Sequence, residues 1–197
     1  MKGFAVSALV LSALLASGGT ASATEGEAPW GLVSLMAKLH AVPAAKAHFT
    51  ERKYAAMLTA PLETSGTLSY VAPDRLEKIT LAPAPESIEL QHDLLTGTQA
   101  NGDHFSVSLG DHPEIGALVE GIRSTMAGDL ATLGRYYSIA FDGNPADWHL
   151  ALTPLDRSVR DKVDAIRIAG AGTQLRAIEV HERDGDRSEM IVTPDGP

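Results

Sequence analysis

The spacing of apolar positions along this chain switches between the two periods of regular structure. Near the start Trp30 opens a helical pattern, with Leu32, Leu35, Met36 and Leu39 at spacings of three, one and three, and Pro43 stops it. From Phe49 to Pro83 the period falls to two, which predicts three extended segments, Phe49–Leu58, Glu63–Ala72 and Arg75–Ala82, joined by Pro61 and Pro73. In the second, Leu68, Tyr70 and Ala72 alternate with Thr67, Ser69 and Val71, so one face is apolar and needs a partner. Glu86 to Thr98 reads as a hairpin with Ile88 and Leu90 ahead of a turn at His92 and Asp93. Asn101-Gly102 then leads into Phe105, Val107 and Leu109.

Past Asp111, a helix cap, the helical period returns: Ile115, Leu118, Val119, Ile122 and Met126 form one stripe. Gly128 ends it, and Asp129 caps a second short helix through Leu133. Gly116, Gly121, Gly128 and Gly134 lie in or beside these helices, and each helix-interior glycine costs about 1 kcal/mol relative to alanine. Two readings stand: the glycines permit close packing, or they weaken a cover that lifts. Strands resume at Tyr136–Phe141 and at Trp148, Leu150 and Leu152, which alternate with His149, Ala151 and Thr153. Val163–Ala169, Leu175–Arg183 and, past Asp184-Gly185, Arg187–Val192 follow. Ten to eleven strands joined mostly by short turns, with helices clustered at the start and middle, predict an α+β fold, mainly β. The expected form is a curved antiparallel sheet with helices on one side.

The first residues carry an address rather than a fold. Lys2, an apolar run from Phe4 to Ala16 and Ala21-Ser22-Ala23 form a signal peptide over 1–23, cleaved before Thr24. The run is shorter than the roughly 20 residues of a spanning helix. Residues 24–197 are expected to form one domain without repeat or linker, a soluble monomer in the periplasm of a Gram-negative bacterium. The chain has no cysteine, which excludes disulfides, thiolate metal sites and a lipidated cysteine. Its formal charge of -9 becomes -10 once Lys2 leaves, and an acidic surface repels nucleic acid and anionic membranes.

Catalytic patterns are missing. His181-Glu182 opens like a zinc-protease motif, but no second histidine follows at helical spacing. His48 with Glu51, and Asp103 with His104, make no metal set. No serine sits in a nucleophile elbow. Gly170, Gly172 and Thr173 lack the third glycine of a dinucleotide loop, Leu175 standing in its place. Asp184 and Asp186 flank a turn as solvated residues. The expectation is a protein that is not an enzyme, with no cofactor and no metal.

Phe49-Thr50-Glu51 after an amphipathic helix, Gly66 to Tyr70 with Pro73, Pro83, Trp148 to Pro154 and the Asp184-Gly185 hairpin together resemble the LolA family of periplasmic lipoprotein carriers. Met126-Ala127-Gly128-Asp129 through Leu133 resembles a divergent branch of it. The resemblance covers nearly all of the mature chain and rests on order and spacing. It implies an incomplete antiparallel β-barrel closed by a lid of short α-helices, with a hydrophobic cavity for the acyl chains of lipoproteins. It also implies cargo taken from an inner-membrane transporter and passed to an outer-membrane acceptor. By that resemblance the lipid-binding cavity is expected at Leu68, Tyr70, Leu76, Ile88, Leu90, Trp148, Leu150 and Leu152. The lid is expected at Ile115, Val119, Ile122 and Met126. Ordinary core packing is the alternative for each. The chain departs from the family at Ala72, where an arginine before the proline commonly tethers the lid. Arg75, three residues on, points to the other face of a strand unless Pro73 introduces a bulge. Leu76 matches the family's apolar position three after the proline. Two other readings keep the fold: a carrier of a non-protein lipid, such as a polyene lipid or glycolipid, for an export system, and a module that senses lipoproteins.

Overall fold

A computed structural model describes residues 29–195, so the signal peptide expected over 1–23 lies outside the described residues. Helix α1, Leu32–His40, is followed by six strands: β1 Ala44–Tyr54, β2 Leu62–Val71, β3 Arg75–Ala82, β4 Glu86–Gln91, β5 Leu94–Thr98 and β6 His104–Ser108. Two helices come next, α2 Pro113–Met126 and α3 Leu130–Tyr136. Then β7 Tyr137–Asn144, β8 Asp147–Pro154, a short helix α4 Arg157–Arg160, β9 Val163–Ala171, β10 Gln174–Glu182 and β11 Arg187–Pro194 complete the chain.

All the strands form one antiparallel sheet of eleven, in the order β6-β5-β4-β3-β2-β1-β11-β10-β9-β8-β7. Each half is a meander of neighbouring strands, and β11 joins the halves by pairing with β1 from Ala47 opposite Pro194 to Tyr54 opposite Arg187. β6 and β7 remain edges, so the sheet is an incomplete barrel. The chain leaves one edge at β6 and re-enters at the other, β7, so the intervening segment has to cross the sheet. α2 and α3 make that crossing over the inward face.

Strand β1 starts at Ala44, five residues before the expected Phe49, and ends at Tyr54 rather than Leu58. Ala44, Ala45 and Ala47 have weak strand propensity, and pairing with β2 and then β11 holds them extended. Helix α4 was not expected from the sequence; Asp156 caps it by accepting from the backbone N–H of Ser158 and Val159.

The closed core occupies one half of the molecule. Leu35, Met36 and Leu39 of α1 pack in one cluster with Tyr137, Trp148, Leu150, Leu152, Ile166 and Ile168 of β7–β9 and with Leu133 of α3. α2 presents small residues to this half. Tyr137 Oη donates to the carbonyl of Ala117 at 2.6 Å, and burial, helped by the charge of Glu120, raises its phenol pKa far above the usual value. A side-chain carbon on Gly121 would lie 3.1 Å from Ile166 Cδ1 and 3.2 Å from the Tyr137 ring. Gly128 ends α2 at φ +62, where a side chain would meet the carbonyl of Met36 at 2.1 Å. Close packing is therefore what Gly121 and Gly128 provide.

Candidate functional site

The other half of the sheet is not filled from above. Between its inward face and α2 lies a cavity of about 770 Å³, within the roughly 300–1,000 Å³ of ligand pockets. Its floor follows from strand alternation and register. Tyr70 on β2 stands across from Leu76 on β3, Leu76 from Leu90 on β4, and Leu90 from Leu95 on β5. In the next row Ala47 faces Leu68, Leu68 faces Lys78, and Lys78 faces Ile88. Ile178 and Val180 of β10, with Met190 and Val192 of β11, supply the wall toward the closed core. The roof is the aliphatic side of α2: Ile115, Leu118, Val119, Ile122 and Met126. α2 thus serves both halves. Ala117 and Gly121 press on the core half, Ile115 and Val119 face the cavity, and Leu118, Ile122 and Met126 line the cavity while also packing against the core cluster.

Of the residues expected at the cavity, Leu68, Tyr70, Leu76, Ile88 and Leu90 line it, and the four expected lid residues line it from above. Trp148, Leu150 and Leu152 do not. They are 0%, 1% and 0% exposed and belong to the closed core. Their alternation matches that of β2–β4, but α1 and the small face of α2 sit directly on this half and fill the space above it.

Sequence reasoning missed a polar feature on the cavity floor. Lys78 takes an inward position in β3, and its ammonium pairs with Glu51 of β1 while lying 4.8 Å from the centre of the Phe49 ring. Glu51 also accepts from Ser188 Oγ at 3.0 Å and Thr64 Oγ1 at 3.5 Å. The signal was available, since Lys78 falls in phase with Leu76 and Thr80 rather than with the outward residues.

The roof is tied down by its own residues. Arg123 of α2 pairs with Glu120 and donates from Nη1 to the carbonyl of His92 at 3.3 Å. Glu120 also accepts from Ser124 Oγ at 3.1 Å. His40 Nδ1 meets the carbonyl of Ala127 at 3.0 Å, fixing the end of α2 to α1. Ala72, where the resemblance implies an arginine, lines a second pocket of about 720 Å³ shared with Tyr70, Asp74, Glu120 and Arg123. Burial, with the nearby charge of Asp74, raises the Tyr70 phenol pKa.

The histidines do not converge on a metal. His48 lies on the opposite face of β1 from Glu51 and meets Asp195 at 3.5 Å, while His104 bonds Thr98 at 3.0 Å. Among the described residues, no three His, Asp or Glu side chains come together as a metal set, and no helix is long and apolar enough to cross a membrane.

Among solved structures the chain is similar to a LolA superfamily protein of Nitrosomonas europaea, at 13% identity and a TM-score of 0.45 over 83% of this chain and 94% of that one. It is also similar to the Pseudomonas aeruginosa MucA/MucB complex, at 10% identity and a TM-score of 0.43, over 82% of this chain and 54% of the matched one. A DUF1329 family protein of Desulfovibrio piger matches at 10% identity and a TM-score of 0.44, over 82% and 88%. These likenesses are too distant to carry function. No curated protein matches the sequence. Residues 21–194 match the family described as outer membrane lipoprotein carrier protein LolA-like, and the chain belongs to that family.

Proposed function

We propose that this protein is a periplasmic carrier that holds the acyl chains of lipoproteins beneath α2, between release by an inner-membrane transporter and delivery to an outer-membrane acceptor. The observation that carries the reading is the aliphatic cavity of about 770 Å³ under a helix whose large side chains face it. Each buried CH₂ contributes about 0.8 kcal/mol, so a chain in this cavity is held strongly in water yet makes no covalent bond. Export through cleavage of residues 1–23 and action as a single-domain monomer belong to the same reading, as does the absence of any enzymatic step.

Arg123, Glu120 and His40 give the roof a limited set of polar fastenings. A ligand that binds the open form better shifts the population toward it by that difference in affinity. Replacing Leu76 by Glu places a carboxylate on the floor; it is expected to abolish binding of a fluorescent acyl probe while the circular dichroism spectrum stays native. Unchanged probe affinity in a folded Leu76→Glu protein would refute this site.

The second reading keeps the cavity and changes the cargo to a non-protein lipid. Ala72 favours it, because the sheet residue that tethers the lid in the family is replaced and an open pocket stands there. Mass spectrometry of organic extracts from the purified protein separates the two: lipopeptide supports the first, a polyene lipid or glycolipid the second.

A further inference from the structure

Lys78 stands in a row of the cavity floor otherwise built from Ala47, Leu68 and Ile88. Charged side chains at such positions are costly unless paired, and even a paired one is often replaceable by hydrocarbon without loss of stability. Holding the sheet together therefore does not require it. The pair is not sealed off: Glu51 and Lys78 keep 17% and 28% of their side-chain surface exposed, and both border the cavity together with Ser188.

We propose that Glu51 and Lys78 receive a neutral polar head on the cargo, a hydroxyl or an amide, while the attached hydrocarbon runs under α2. This deepens the carrier reading and rests on it. A head that both donates and accepts matches the pair, with Glu51 as acceptor and Lys78 as donor. Hydrocarbon or a simple ester over the same spot would strip the remaining water from the pair and give Glu51 no donor beyond Lys78, Ser188 and Thr64. A carboxylate would compete with Glu51 for Lys78. The cavity is thus specific for an amphiphile whose first polar group lies inside it. That group is either the head of a free single-chain lipid or the amide that links an acyl chain to a peptide.

The test is displacement of N-phenyl-1-naphthylamine from the purified full chain by dodecanol, dodecanamide and methyl dodecanoate. In a purely apolar cavity the methyl ester, the most apolar of the three, displaces the probe best. The proposal expects dodecanol and dodecanamide to displace it at roughly tenfold lower concentration than the ester, the worth of a hydrogen bond to a charged group. That preference should vanish in Glu51→Leu/Lys78→Met and persist in Glu51→Gln/Lys78→Gln, which keeps hydrogen-bonding groups. Equal or better displacement by the ester in the unsubstituted protein overturns the head-group assignment and leaves the carrier reading standing. So does a preference that survives Glu51→Leu/Lys78→Met. Failure of all three ligands to displace a bound probe overturns both. With the preference established, tighter binding of a dodecanoylated tripeptide than of dodecanamide assigns the amide to a lipidated protein, and the reverse order assigns it to a free lipid.

Discussion

Arg123 on the cavity roof donates to the backbone carbonyl of His92 in the β4–β5 turn, 3.3 Å away, so the lid carries the guanidinium that fastens it to the sheet. The resemblance to the family implies the reverse arrangement, an arginine on the sheet at the place of Ala72. The departure at Ala72 thus has a physical counterpart on the opposing surface. Replacing Arg123 by Leu removes this bond and leaves Glu120, 8% exposed, without its cation. A hydrogen bond from a charged donor is worth about 1.5–3 kcal/mol. Hydrogen exchange across residues 113–126 is expected to speed up by at least about tenfold in Arg123→Leu, and probe exchange to speed up with it. Unchanged exchange in both would show that the bond does not hold the roof.

Gly121 separates the two readings of the lid glycines. If weak helix propensity were the point, Gly121→Ala would stabilise by about 1 kcal/mol. The added carbon instead meets Ile166 Cδ1 at 3.1 Å and a Tyr137 ring held by its bond to Ala117. Gly121→Val is expected to destabilise by about 1–3 kcal/mol, read as a lower midpoint in urea, because its added carbons run into Ile166 and the Tyr137 ring. A rise in the midpoint would favour the propensity reading.

How much of this was legible in the sequence depends on whether neighbours or distant packing decide. Alternation around Leu68 and Tyr70, the turn at His92 and the helical stripe from Ile115 to Met126 are local signals, and each appears where it was expected. The first residues of β1 were missed because Ala44, Ala45 and Ala47 have no apolar alternation to read. Trp148, Leu150 and Leu152 look like cavity residues for the same reason that Leu68 and Tyr70 do. What distinguishes them is that α1 lies over them, a fact of tertiary packing. Lys78 falls in phase with Leu76 and Thr80, a signal present in the sequence, but its charge reads as surface unless that phase is given more weight; its register with Leu68 and Ile88 places it inward.

That division gives a contrast between two leucines. Leu150 is 1% exposed in the closed core, so Leu150→Ala is expected to cost about 2–5 kcal/mol of stability while the folded protein binds an acyl probe normally. Leu76→Glu is expected to do the opposite, sparing the fold and abolishing binding. Thermal melts and probe titrations on both variants check this together; loss of probe affinity in folded Leu150→Ala would mean that the cavity extends into the core half.

Asp129 gives α3 a dependence on acidity. It caps α3 by accepting from the backbone N–H of Thr132 at 2.9 Å, and its hydrogen bonds to Thr132 hold its carboxyl pKa below the ordinary 3.8. A lowered folded-state pKa means the unfolded chain binds the proton more readily, so the stability from this cap is fully present above pH 3.8. It fades as the pH falls through the lower folded-state value, where the protonated carboxyl is a poorer acceptor. Because the side chain is largely exposed, solvent limits the effect, and Asp129→Ala is expected to cost about 0.5–1 kcal/mol at neutral pH. The comparison to make is urea unfolding of the two proteins at pH 7 and at successively lower pH. Their midpoints should differ at neutral pH and converge under acid, whereas a constant gap would mean that Asp129 stabilises α3 by something other than its charge.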